Sequence, residues 1–470
     1  MSRAVSQAPA DRARAGRLRG RGRLGRLRRL WYPLAAIVAV IVGFFLFGPP
    51  SSPSTASQLA RMAPAFAPAS GPVTAPAGAS LTEQEIAKQY EAARQNPGSV
   101  TAYVQLGNAY VQHVRQTGDP TDYGRAEAAF DAALRRSPDS VDAIVGKGVL
   151  SLARHEFAQA RELGARAVSL APTRSRVYGV LLDANTELGR YEEALASAQQ
   201  MIDLRPDFAS YSRVSYQREL HGQMDGAISS MQQAFESSVG SEPEAREYLR
   251  VLLGDLSLRT GDLKAAGATY EASLAVLPNY VWAEAGLARV RAAEGRTDES
   301  IALWKKIVDQ LPLPEFVVAS GETKEAAGLL DDARKDYALA EAIQQLFAAN
   351  GVNVDLDLAL FRADHGSDPK AAVELARKAY AQQPNVKAAD ALGWALHAAG
   401  SFDEARKYAD EALRLGTPYG QFLYHAGIIA KSQGDTAAAK MYLTRALELD
   451  PYFSPLFAPR ASQALTELGG

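Results

Sequence analysis

The 470-residue chain contains no cysteine. That excludes a disulfide framework, a thiolate nucleophile and any Cys-ligated metal site, although it suits an oxidising compartment and the cytosol equally. Histidine is scarce too. Its six copies (His113, His155, His221, His365, His397, His425) are scattered, with no His-Glu-x-x-His and no i, i+4 pair. Also missing are a Gly-x-x-x-x-Gly-Lys-Ser/Thr phosphate loop, a dinucleotide fingerprint and a Gly-x-Ser-x-Gly elbow. The chain therefore offers no catalytic, cofactor-binding or metal residue and no small-molecule substrate site, and it reads as a binding protein rather than an enzyme. It has no Asn-x-Ser/Thr glycosylation acceptor, which fits a bacterial source.

The net charge of −2 conceals an asymmetry. Residues 1–30 hold ten Arg and one Asp, so the remainder carries a net charge of −11. Residues 1–29 read as a basic cytoplasmic tail; an anionic-lipid contact, a nucleic-acid contact or a transit peptide are the alternatives. Residues 30–48 are free of charge, and Ile37 to Phe47 is continuously apolar. At ~1.5 Å per residue such a segment spans roughly 28 Å, close to a bilayer's ~30 Å core. Trp31 and Tyr32 stand at its Arg-rich end, where interfacial aromatics belong. The expectation is a single-pass signal-anchor helix in the inner membrane, with an extracytoplasmic remainder. Secretion after cleavage is the alternative, although Gly48-Pro49-Pro50 follows where a small-x-small site would be wanted. Residues 49–80, rich in Pro, Ala and Ser with Arg61 the only charge, read as an extended linker.

Beyond the linker the sequence repeats. Residues 81–98 predict an N-terminal capping helix, 99–453 about ten repeats, and 454–470 a C-terminal capping helix. Pro138, Pro172 and Pro206 stand at a spacing of 34 residues. One column is small throughout: Ala126, Ala160, Ala194, Ala227, Ala266, Ser300, Ala333, Ala372, Ala405 and Ala439. A second recurs as Gly189, Gly222, Gly261, Gly295, Gly328, Gly400 and Gly434, the residue type that ends helices in a left-handed conformation. The first repeat is the fullest: Tyr103-x2-Leu106-Gly107-x2-Tyr110, then Ala126-x3-Phe130, Ala133 and Pro138. This pattern resembles the tetratricopeptide repeat family, membrane-anchored bacterial type, with Tyr where Trp is commonest. Here Gly107 and Ala126 let two helices approach closely, and Phe130 fills the space between neighbours. The fold expected is all-α: a right-handed α-solenoid of about ten helix-turn-helix repeats, preceded by one transmembrane helix.

The resemblance implies that one face of each first helix lines a concave groove. Mapped here, the partner-binding candidates are Asp183, Tyr216, Glu219, Tyr248, Asp255, Trp282, Arg289, Phe361, Trp394 and Tyr424. For each of them, packing between adjacent repeats is the competing role. Acids outnumber bases along the groove, which favours a neutral to basic protein or peptide segment and disfavours nucleic acid. A carboxylate clamp of the chaperone-binding type is disfavoured, because Asn108 matches one of its positions but Val104 stands where Lys is wanted. The function expected is a membrane-anchored scaffold for envelope-complex assembly. The alternative is an accessory or regulatory subunit of an envelope enzyme, such as a cytochrome maturation or peptidoglycan system.

Overall fold

The computed structural model describes residues 79–366 and 368–469. The expected basic tail, membrane span and nearly all of the linker lie outside these residues. Among the described residues no helix is long and apolar enough to cross a membrane.

All regular structure among the described residues is helical, in 22 helices. After α1 (Leu81–Gln95) come ten hairpins: α2 (Val100–Thr117) with α3 (Asp122–Arg136), α4 (Val141–Ala153) with α5 (Phe157–Leu170), α6 (Ser175–Glu187) with α7 (Tyr191–Leu204), α8 (Phe208–Leu220) with α9 (Met224–Ser237), and α10 (Pro243–Arg259) with α11 (Leu263–Val276). The second five are α12 (Val281–Ala293) with α13 (Thr297–Gln310), α14 (Pro314–Ala326) with α15 (Leu330–Ala349), α16 (Asp355–His365) with α17 (Pro369–Gln382), α18 (Val386–Ala398) with α19 (Phe402–Ala412), and α20 (Gly420–Ser432) with α21 (Thr436–Leu449). Helix α22 (Phe457–Glu467) ends the array.

The two sequence columns explain why the hairpins form. Nine of the ten small residues are fully buried and Ala333 is 2% exposed, so each second helix lies where no larger side chain fits. The seven glycines of the other column all have positive φ, which closes each hairpin turn tightly. Phe130 is fully buried between Gly107 and Gly146 on the two flanking first helices; a Cβ at either glycine would collide with its ring. Tyr270 is held in the same way between Gly254 and Gly286. Burying such a ring contributes about 1.5–3 kcal/mol, and doing it between two hairpins ties one repeat to the next.

Contacts at long sequence separation show how the array coils. The imidazole Nδ1 of His155 donates to the carbonyl of Asn353 (2.8 Å), and Asn353 N–H donates to the carbonyl of Arg154 (2.9 Å). Asn385 Nδ2 donates to the carbonyl of Glu187 (2.8 Å), and Val386 N–H donates to the Tyr191 hydroxyl (2.9 Å). The Thr417 hydroxyl donates to the carbonyl of Leu220 (2.7 Å). The side-chain contacts among these join residues 195 to 198 apart, close to six repeats. The array therefore makes a first winding of five hairpins and a second winding of five that lies against it. Along this seam, hairpin turns of the first winding meet connecting loops of the second. The terminal carbonyls that a helix cannot satisfy internally are met by the next winding. Apolar packing backs the polar contacts: Val352 joins the core of Tyr110, Tyr123, Phe130 and Leu150, and Val386 with Phe422 joins that of Tyr191 and Leu220.

Candidate functional site

The seam places the first helices of three hairpins opposite loops of the second winding, and a cavity of about 990 Å³ lies between them. One wall comes from α10, α12 and α14, which contribute Tyr248, Asp255, Trp282, Arg289 and Glu322. The other carries Lys387, Tyr419, Asp450 and Phe453. The helical spacing of first-helix positions explains the first wall: Tyr248 and Asp255 are two turns apart on one face of α10, and Trp282 and Arg289 repeat that spacing on α12. Trp282 meets Tyr248 edge-on (6.2 Å between centroids) and Phe316 likewise (5.1 Å), giving a continuous aromatic strip.

Its polar groups are arranged around that strip. Asp255 accepts a hydrogen bond from the Tyr270 hydroxyl (2.7 Å), and burial pushes its carboxyl above the usual range. Arg289 makes no salt bridge among the described residues, but its charge opposes the effect of burial on the Asp255 carboxyl, and its guanidinium stands 5.9 Å from the Trp304 ring centre. The indole N–H of Trp304 is buried and has no hydrogen-bond partner there. Arg259 pairs with Glu219 and stands 5.1 Å from the Tyr419 ring centre. The lining holds three carboxylates (Asp255, Glu322, Asp450) and three cations (Arg259, Arg289, Lys387), so it is balanced where the chain as a whole is acidic.

Of the ten positions the sequence singles out, the structure brings Tyr248, Asp255, Trp282 and Arg289 together in this cavity. The others have internal partners. Asp183 makes a two-pronged pair with Arg213 (2.9 and 2.7 Å) across neighbouring repeats. Glu219 is buried against Arg259, and Tyr216 packs on the Tyr191 and Val386 cluster beneath Lys387. Phe361, Trp394 and Tyr424 are buried (8%, 8% and 4% exposed), Phe361 against Val317 and Ile343, the other two against Leu443 and Phe457. Their surface goes into packing because α22 closes the end of the array over Trp394 and Tyr424. Tyr419, Phe453 and Asp450 escape a search of first helices because they sit on connecting loops. The sequence signal available for them was the aromatic content of those loops.

The family comparison agrees with the geometry. Tetratricopeptide repeat profiles match residues 121–175 and 356–420, and, for a second profile of the same description, residues 175–208 and 420–453. The chain is a tetratricopeptide repeat protein, a scaffold for protein interactions. Similar curated sequences are the cellulose synthase 1 operon protein C of Komagataeibacter xylinus, 27% identical over 50% of this chain, and the cellulose synthase operon protein C of Xanthomonas axonopodis pv. citri, 26% identical over 68%. The match takes in 16% and 17% of those proteins' own lengths, so the chain spans about a sixth of each. Among solved structures, a tetratricopeptide repeat protein of Thermus thermophilus is 24% identical, covering 41% of this chain and 98% of that one with a TM-score of 0.36.

Proposed function

We propose that the cavity lined by α10, α12 and α14 receives an extended polypeptide segment of a partner, and that the chain is a membrane-tethered scaffold for assembling a cell-envelope complex. The observation that carries this reading is the joint placement of Tyr248, Trp282, Asp255 and Arg289 on one wall of a cavity large enough for several side chains. Rigid aromatics with an unpaired guanidinium beside them are the usual anchors of a binding surface. The even balance of lining charges favours a segment of low net charge over a strongly basic one, and disfavours a nucleic-acid backbone. The envelope location is supported by the Arg-rich start and the apolar run at 30–48.

The names of the relatives favour a second reading, an accessory or regulatory subunit of an envelope enzyme, since both are operon proteins of a cellulose synthase. Co-purification of the full chain from detergent-extracted membranes separates the two. Several substoichiometric clients support the scaffold, and one stoichiometric enzyme supports the subunit. In either case Trp282→Ala and Asp255→Ala are expected to weaken partner capture about tenfold or more. Lys305→Ala on the exposed face of α13 leaves it unchanged. Capture that survives both cavity substitutions places the binding surface elsewhere.

A further inference from the structure

The seam mates two kinds of edge, and each kind has a second set that faces nothing among the described residues. The hairpin turns of the second winding are bare: a Cβ built at Gly295, Gly328, Gly400 or Gly434 has nothing within 4 Å. At Gly118, Gly189, Gly222 and Gly261 in the first winding, that space is taken by Leu311, Pro384, Gly416 and Pro451. The connecting loops show the converse. Where the first winding lies on them, Leu311 and Val352 are 1% and 7% exposed. Among the described residues the loops of the first winding have no such cover, and apolar side chains stand out at four of them: Leu170 (40%), Leu204 (38%), Val239 (77%) and Val276 (51%). Leu329 (45%) and Leu330 (50%) do the same at a bare hairpin turn of the second winding. These six are more than half of the large apolar residues left exposed among the described residues, and all six lie on the two open edges.

We propose that the two open edges are the halves of an interface between copies of this chain. Hairpin turns of one copy's second winding seat on connecting loops of the next copy's first winding, continuing between molecules the seam that exists within one. The occupant follows from that continuity. The open hairpin edge is built like the one already mated in the first winding, with terminal helix carbonyls flanking a positive-φ glycine. Directly after the repeat proline the open loops carry exposed Thr173 and Asn279, the position Asn385 holds on a mated loop, with Asn279 Oδ1 already accepting from Lys306 (2.7 Å). Because the two edges differ and sit on opposite windings, the contact is head-to-tail. Each copy added leaves one edge of each kind free, so association is open-ended.

The test uses the full chain in detergent micelles, with mass read by sedimentation and light scattering over a concentration series. The expected mass rises with concentration past the dimer. Leu329→Glu with Leu330→Glu, and separately Leu170→Glu with Leu204→Glu, each hold the chain at one copy. Mixing the two variants gives a one-to-one dimer that grows no further, since each has kept the edge the other has lost. Because the native chain has no cysteine, a second measurement is clean. Leu330→Cys combined with Leu204→Cys gives a ladder with a bismaleimide linker, whereas either single variant stays unlinked. A mass that stays at one copy at every concentration overturns the proposal. So does association that survives both Glu pairs, or Glu variants that fail to recombine. The last outcome would assign the edges to residues 1–78 or to a different protein.

Discussion

The hairpin turns at Gly189 and Gly400 have the same local structure and different surroundings. Both glycines have positive φ (68° and 80°) at the end of a first helix. Gly189 faces the carbonyl of Pro384 on the next winding, and Gly400 faces open space. The connecting loops divide in the same way. The residue before the repeat proline is buried at Leu311, Gln383 and Asp450, where the first winding covers it, but not at Ala171, Arg205 or Leu277, where no described residue does. The repeat sequence thus sets the shape of each turn, and position along the coil decides whether that turn also carries an interface. A solenoid whose repeats touch only their neighbours would give equal responses at equivalent positions. Stacked windings predict unequal ones.

The largest inequality is expected at the glycines themselves. Gly400→Ala meets only the left-handed backbone cost of about 1–2 kcal/mol. Gly189→Ala meets that cost and a collision with the Pro384 carbonyl, which adds about 1–3 kcal/mol as the windings part to relieve it. Denaturant midpoints of the two variants measure the gap. Equal midpoints would mean that the windings do not bear on each other in solution.

Asp450 extends the comparison to pH. Burial on the covered edge pushes its carboxyl up to about 6, against a backbone hydrogen bond from Tyr452 and the attraction of Arg259. The folded protein therefore holds this proton more tightly than the unfolded chain does. Its contribution to stability is largest below pH 3.8, falls as pH rises to about 6, and stays low above that. Asp450→Asn removes the fall, so the variant is expected to gain about 1–3 kcal/mol over the parent at neutral pH and to lose that advantage in acid. Asp139→Asn, at an exposed loop of the first winding, stays within about 0.5 kcal/mol of the parent. Unfolding midpoints across the pH range decide between these outcomes.

Thr417 gives a smaller contrast. Thr417→Val keeps the shape and removes the hydrogen bond to the Leu220 carbonyl, leaving that acceptor buried and unmet at a cost of about 1–2 kcal/mol. Thr173→Val, on an exposed loop of the first winding, is expected to change stability by less than about 0.5 kcal/mol. Hydrogen exchange at the end of α8 should accelerate in the first variant and not in the second.

What could be read from the sequence follows the same division. The small column, the glycine column and Phe130 between two glycines are local or one repeat apart, and their spacing announces them. The seam joins residues nearly 200 apart. The residues that make it (Asn353, Asn385, Thr417) are ordinary loop and capping types, so nothing in their identity marks a long-range role. The same limit applied to the candidate site. First-helix spacing singles out Tyr248, Asp255, Trp282 and Arg289, which share a face of neighbouring helices and line the cavity. It also nominated Phe361, Trp394 and Tyr424, which sit at equivalent positions but which later hairpins and α22 bury. A face that is open along α10 and α12 is filled toward the end of the array, and periodicity alone does not register that.

His155 offers the finest test of the seam, because two opposing effects meet at one residue. It replaces the usual glycine at its hairpin turn and keeps the left-handed backbone, with φ of 58°. For a residue with a Cβ that conformation costs about 1 kcal/mol or slightly more. The side chain stacks on Phe157 (5.5 Å between centroids), and its Nδ1–H reaches across the seam to the Asn353 carbonyl. His155→Gly removes the strain and the cross-seam hydrogen bond together, so its unfolding midpoint should lie within about 0.5 kcal/mol of the parent's. His155→Ala retains the strain and loses the bond, and should be about 1 kcal/mol less stable than the glycine variant. If the glycine variant instead gains the full ~1 kcal/mol, the bond to Asn353 contributes nothing. The windings would then be held by apolar packing around Val352 and Val386, and their polar contacts would only set the register.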